Sequence, residues 1–176
     1  MSEAVRRERF EQAVLPHLDT AYNLARWLTR NEQDAQDVTQ EAFLRAFRFF
    51  AGYQGGNMRA WLLTIVRNTC NTWIQRNRRA DRTDLFDEEI HSMAFSAGAD
   101  PETQVLAGAD RESLRRAIED LPDVFREALV LREMEGMSYK EIADVTSVSL
   151  GTVMSRLARA RTQLRASLSV GQGKEP

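Results

Sequence analysis

The sequence predicts an all-α protein, two small helical domains joined by an acidic flexible linker, the second containing a helix-turn-helix. Three observations carry this expectation. Apolar residues recur at three- and four-residue spacing through both halves of the chain, the period of a helix with one buried face. Only four prolines and nine glycines occur in 176 residues, so long stretches run without a helix breaker. Charge is segregated although the formal net charge is −2. Asn57 to Ala80 holds five arginines and no acid, and Ser149 to Leu168 holds four arginines and no acid. Asp81 to Glu112, between them, holds nine acids against two arginines.

The first helical stripe is Ala13, Leu18, Ala21, Tyr22, Ala25 and Leu28. Asn31 is placed to cap the next helix, with Glu32 and Asp34 in its positive first turn. That helix, DAQDVTQEAFLRAFRFF, sets Ala35, Val38, Ala42 and Ala46 on one stripe with Phe43, Phe47 and Phe50 beside it, and leaves Asp37, Gln40, Glu41 and Arg45 outward. After the turn AGYQGGN comes MRAWLLTIVRNTCNTWIQRNRR. Trp61, Ile65, Thr69 and Trp73 recur every four residues there, flanked by Leu62, Val66 and Cys70, and the tryptophans are expected in the core. The opposite face shows Arg59, Arg67, Asn68, Asn71, Gln75 and Arg76, side chains suited to phosphates and base edges. In the turn, Phe49, Phe50 and Tyr53 lie beside Gly52, Gly55 and Gly56. Such a loop either offers stacking faces to an unpaired base or closes the core, and the residues alone leave both readings open.

RTDLFDEEIHSMAFSAGADPETQ keeps no helical or strand period and contains Gly98 and Pro101, which marks the linker. The expected division is 1–80 for the first domain, 81–112 for the linker, 113–170 for the second domain and 171–176 for a tail. In the second domain Pro122 begins a helix that Gly136 ends. Ser138 with Glu141 forms a capping box for a short helix with Ile142, Ala143 and Val145 inward. Thr146 to Val148 turns the chain, and Ser149 caps a longer helix with Val153, Leu157, Ala160, Leu164 and Leu168 in its core stripe. Two helices joined by a three-residue turn, the second basic, describe a helix-turn-helix. Its exposed N-terminal residues include Thr152, Ser155, Arg156 and Arg159, and an arginine can donate two hydrogen bonds to one guanine edge. A lone basic run is usually a solvated face, but two acid-free helical faces point to a polyanion partner.

Composition narrows the remaining classes. A single cysteine, Cys70, permits no internal disulfide, and with His17 and His91 the only histidines no zinc-type cluster is expected. No apolar run nears the roughly 18 residues of a membrane span, and the charged start MSEAVRRERFEQAV lacks the apolar stretch of a secretory signal. A cytoplasmic protein without membrane insertion is the expectation. No set of nucleophile, base and orienting group can be assembled, so a binding factor without a cofactor is expected rather than an enzyme.

The succession DAQDVTQEAFLRAF, MRAWLLTIVRNTCNTWIQRNRR and LPDVFREALVLREMEGMSYKEIADVTSVSLGTVMSRLARARTQL resembles bacterial sigma factors of the extracytoplasmic function (ECF) class, over about Leu15 to Leu168. The resemblance implies a transcription initiation factor that binds core RNA polymerase and melts promoter DNA, held inactive by an anti-sigma factor. It assigns Asp34, Asp37, Gln40 and Glu41 to the polymerase-binding surface. It assigns Tyr53, Asn57, Met58, Arg59, Asn68, Asn71 and Arg76 to the minus-ten element, where a base is flipped from the stack, which favours the functional reading of the loop. Thr152, Ser155, Arg156 and Arg159 are assigned to the minus-thirty-five element. The chain departs from the family pattern at Ser147, where glycine is frequent, at Met154, where a basic residue is common, and at Ala158, where a larger side chain often sits. A dimeric helix-turn-helix repressor and a protein-binding helical adaptor are the rival readings.

Overall fold

A computed structural model describes residues 2–83 and 108–171, and among these every regular element is helical. The first four helices are α1 (Glu3–Val14), α2 (Leu18–Thr29), α3 (Glu32–Phe49) and α4 (Met58–Thr83). The second four are α5 (Gly108–Glu119), α6 (Asp123–Leu129), α7 (Tyr139–Thr146) and α8 (Leu150–Gly171). A π-helical segment, Val130–Met134, prolongs α6. Both ends of the segment expected as linker are therefore helical, and its middle, with Phe86, Ile90, Met93 and Phe95, lies outside the described residues.

The helix boundaries follow from local chemistry. Ser2 accepts from the Val5 amide at the start of α1, and Asn31 Oδ1 accepts from the Asp34 amide at 2.9 Å to open α3. Asn57 Oδ1 does the same for the Ala60 amide in α4. Ser138 and Glu141 form both halves of the expected capping box on α7. Arg30 closes α2 in the left-handed region at φ 58°. Gly136 follows the π-helical segment at φ 63°, where glycine carries no Cβ penalty.

α2, α3 and α4 form the N-terminal bundle, with α1 laid across α4 and the end of α3. Ala35, Val38, Ala42 and Ala46 are all fully buried, and these small side chains let α3 lie close to its neighbours. Phe10 of α1 meets Phe47 and Phe50 edge-on, with centroids 5.2 and 5.4 Å apart. Leu18, expected in the first core stripe, is exposed. A 3₁₀ turn over Leu15–His17, with Pro16, separates α1 from α2 and rotates the first residue of α2 away from the core.

On α4 the fully buried positions are Leu62, Val66 and Cys70 with Leu63 and Thr69, whereas Trp61, Ile65 and Trp73 are half-buried. The core stripe thus sits one residue round from the tryptophan stripe. The cause is tertiary, because α4 is covered by α2 and α3 on one side and by α7 on another. Burial, reinforced by the charge of Glu127, pushes the Cys70 thiol up to about 12.

The C-terminal bundle packs α8 against α5, α6 and α7. All five expected core residues of α8 are buried, as are Ile142 and Val145 of α7. The bundles also meet each other, through α4 against α7 and α2 against α6. Arg126, 1% exposed, donates to the carbonyls of Trp27, Glu119 and Leu121 and to Asp123, so one α6 side chain ties its own helix turn to the end of α2. Arg30 reaches back to the Glu119 carbonyl at 3.0 Å.

Candidate nucleic-acid interface

The helix-turn-helix is built from residues whose local roles are clear. Ser147 ends α7 at φ 56°, so the turn is made by a serine in the left-handed region that glycine most easily adopts. Ser149 Oγ then accepts from the Thr152 amide at 3.2 Å, opening α8. With Val153 and Leu157 buried below, Ser155 and Arg159 face solvent, flanked by partly exposed Thr152 and Arg156. The Arg156 and Arg159 side chains have no hydrogen bond or ion pair among the described residues. Arg161 differs, since it pairs with Glu133 at 3.0 Å, and one of the four expected unopposed arginines is therefore opposed. Leu150 and Met154 add two exposed apolar side chains to the flank of the same helix.

The second basic surface is α4 and the loop before it. Asn68 and Arg76 are exposed and Asn71 partly so. Arg59 donates to the Glu135 carbonyl at 2.7 Å, and the Asn57 amide donates to Glu141 at 2.8 Å. Arg67 pairs with Glu127 at 2.6 Å, their side chains 17% and 5% exposed. These partners belong to the C-terminal bundle, so the first half of the face expected to be open is engaged by it. Burial pushes the Glu135 carboxyl above its usual range, with the Arg59 charge opposing. The Ser138 amide, joined by the Ser138 hydroxyl and by Arg59 and Asn57, outweighs desolvation and holds Glu141 below its usual range.

In the loop, Tyr53 stacks on Phe50 and tilts against Trp61, while its hydroxyl donates to the Gly56 carbonyl at 2.7 Å. Gly55 and Gly56 have φ of 95° and 105° with open space around them, a backbone that a side chain would strain. Phe49 stands 62% exposed, and Met58 begins α4 partly buried. The aromatics therefore divide, Phe50 and Tyr53 closing the core and Phe49 facing out.

A third surface lies on α3. Asp37 and Gln40 are exposed, Asp34 and Glu41 partly so, and Glu41 pairs with Arg45 at 2.5 Å. Exposed Leu44 continues this acidic face.

Two family models match this chain, sigma-70 region 2 over residues 13–80 and sigma-70 region 4 over residues 111–164. Among curated relatives, the ECF RNA polymerase sigma factor SigE of Mycolicibacterium smegmatis is 38% identical over 91% of this chain, which spans 62% of that protein's length. The RNA polymerase sigma-H factor of Pseudomonas aeruginosa is 33% identical over 92% of this chain and 87% of its own. The chain belongs to the ECF sigma factors.

Two solved structures share its fold, one of them a sigma factor by name. RpoE from Bartonella quintana, in complex with the anti-sigma factor NepR, aligns with TM-score 0.74 at 26% identity over 93% of this chain and 98% of its own. CnrH, in complex with the cytosolic domain of CnrY, aligns with TM-score 0.64 at 26% identity over 93% and 90%. For this sigma factor the structure brings Thr152, Ser155, Arg156 and Arg159 together on one helix, and Asn68, Asn71 and Arg76 on another. It sets Asn57 and Arg59 apart from these by engaging them with the C-terminal bundle. Sequence reasoning missed Glu127 and Asp123 as partners of the α4 arginines. Both lie on a helix whose pairing across the chain has no local periodicity to betray it.

Proposed function

We propose that this ECF sigma factor binds core RNA polymerase, recognises a promoter at two elements and assists strand opening while the polymerase performs the chemistry. The polymerase-binding surface is the exposed acidic face of α3, Asp34, Asp37, Gln40 and Glu41. α8 enters the major groove of the minus-thirty-five element, where Arg156 and Arg159 bond base edges or phosphates and Thr152 and Ser155 fix the helix end. Tyr53, Asn57, Met58, Arg59, Asn68, Asn71 and Arg76 contact the minus-ten element, whose opened strand is accommodated by the glycine loop and the basic face of α4.

The observation that carries this reading is the pair Arg156 and Arg159. Both are presented by a capped helix-turn-helix, and neither has a competing partner among the described residues. Family membership decides against the repressor, which would use the same α8 but has no need of the acidic α3 face. An anti-sigma factor is the expected inhibitory partner, since the solved relative RpoE is bound to one. Action in the cytoplasm, beside the polymerase, completes the proposal, and among the described residues no helix is long and apolar enough to cross a membrane. Mixing the purified chain with core polymerase and promoter fragments tests it. Specific transcripts that require both components support the reading, and palindromic duplex binding by the chain alone, without initiation, contradicts it.

A further inference from the structure

Beside its arginines, α8 carries two apolar side chains that the core does not take up. Leu150 and Met154 stand 51% and 52% exposed, although Val153 and Leu157 on the same turns are fully buried. Four residues apart on one helix, they lie one above the other and make a single apolar flank along its first turns. Gly151, Ser155, Ala158 and Thr162 follow the helical period along the outermost line of α8, all exposed and none longer than a threonine. The same period sets Arg156, with Thr152, on the flank opposite Met154. The helix thus offers a low central line between a cationic edge and an apolar edge. A single exposed leucine needs no explanation, but this pair occupies the N-terminal turns, the part of a recognition helix that meets base edges.

The major-groove edge of DNA presents hydrogen-bond donors, acceptors and one apolar group, the C5 methyl of thymine. Arg156 and Arg159 can answer acceptors, whereas a flank of hydrocarbon and thioether matches only the methyl. We propose that Met154, backed by Leu150, reads a thymine in the upstream element by packing on its C5 methyl, so that the chain prefers T·A to C·G at that base pair. The inference deepens the reading of α8 as the minus-thirty-five helix and rests on it. Met154 makes the contact because its unbranched, flexible stem can adjust to the position of the methyl, while Leu150 closes the same flank from the turn before. Cytosine there brings a hydrogen in place of the methyl and an amino donor beside it, which an apolar flank leaves unpaired.

Exchange of thymine for deoxyuridine removes the C5 methyl and nothing else. A promoter selected from a randomised library with the wild-type chain and core polymerase is remade with uracil at each thymine of its upstream element in turn, on either strand. The wild type, Met154→Ala and Met154→Leu are compared in initiation from these templates, and polymerase binding and the thermal midpoint are measured for each. Uracil at one thymine should lower wild-type initiation about fourfold, the effect of one buried methyl group, and uracil at the other thymines should change nothing. That same exchange should not lower initiation by Met154→Ala any further. Met154→Leu keeps an apolar side chain of similar volume and should respond as the wild type does. A selected element without thymine, a wild type indifferent to uracil at every position, or full sensitivity retained in Met154→Ala overturns the methyl contact. Polymerase binding lost in Met154→Ala, with uracil silent in the wild type, overturns it as well and makes the flank a protein-contact surface. Use of the upstream element that Arg156→Ala/Arg159→Ala abolishes and uracil leaves intact rejects the contact while the reading of α8 stands. Initiation indifferent to the upstream element in every protein overturns both.

Discussion

Helices α4 and α8 are made of the same materials, an apolar stripe backed by an arginine-rich face with no acid before Asp81 on α4 and none on α8, yet their arginines stand in opposite circumstances. On α8, Arg156 and Arg159 have no partner among the described residues and Arg161 alone is paired. On α4, Arg59, Arg67 and Arg78 all hold groups of the C-terminal bundle. Residue type and spacing therefore establish that a helix can bind a polyanion, but not whether it is free to do so. That second property is set by what packs across the chain.

Core substitutions provide the largest effect through which this contrast can be broken. Leu62→Ala on α4 and Leu157→Ala on α8 remove fully buried side chains, and each is expected to lower folding stability by about 2–5 kcal/mol in denaturant titrations. Because the bundles are fastened together, a probe in either bundle should report the loss from either substitution. Separate transitions, each sensitive only to its own substitution, would show that the fastening is too weak to couple them.

Arginine truncation comes next. Arg156→Ala or Arg159→Ala should reduce use of the upstream element by about 1–3 kcal/mol in initiation assays, with no change in thermal midpoint because nothing in the fold depends on them. Arg59→Ala should weaken minus-ten use and also loosen the bundle contact seen by energy transfer between fluorophores on cysteines introduced at the exposed positions Gln36 and Ser169. Asp37→Arg should do neither and instead weaken polymerase binding. Equal loss of polymerase binding in all three would end the division of labour among α3, α4 and α8.

Acid acts on the contact by a smaller step. Burial alone would raise the Asp123 carboxyl, but the guanidinium groups of Arg126 and Arg78 outweigh it and hold it below the usual carboxylate range. Its folded value is depressed, so its contribution is complete above the ordinary range and is lost as pH falls through the folded value. Interbundle energy transfer should be flat from about pH 6 to 8 and decline below about pH 4. The change follows the Asp123 carboxylate, which loses its charge toward Arg78 and Arg126 as acid is added. A decline centred near neutral pH would contradict this. The smallest effect belongs to the turn before α8, where Ser147→Gly should raise stability by about 0.5–1 kcal/mol by relieving a left-handed serine.

Legibility in the sequence divided along the same line. The α8 stripe was readable because one face is buried and the rest is open, so Val153, Leu157, Ala160, Leu164 and Leu168 keep a clean helical period. The capping box at Ser138 and the cap at Asn31 were readable because their hydrogen bonds span only three residues. α4 is covered from more than one side, so Leu63 is as buried as Leu62 and the tryptophan period indicates the wrong stripe. α1 escaped notice because Phe10 and Val14 are its only buried side chains, although their four-residue spacing and Ser2 were signals that could have found it. Of the site, the open α8 residues could be placed from spacing. The engagement of Asn57 and Arg59 could not, since Glu135 and Glu141 lie far along the chain and the first acts through its backbone.

The most direct test of two basic helices reading two separate elements is to select start sites from a randomised promoter library with core polymerase. The wild-type chain would be compared with Arg156→Ala/Arg159→Ala and with Asn68→Ala/Asn71→Ala. Loss of sequence preference confined to the upstream element in the first variant and to the minus-ten element in the second is the expected pattern. Loss at the same positions in both, or initiation that ignores both substitutions, would contradict it.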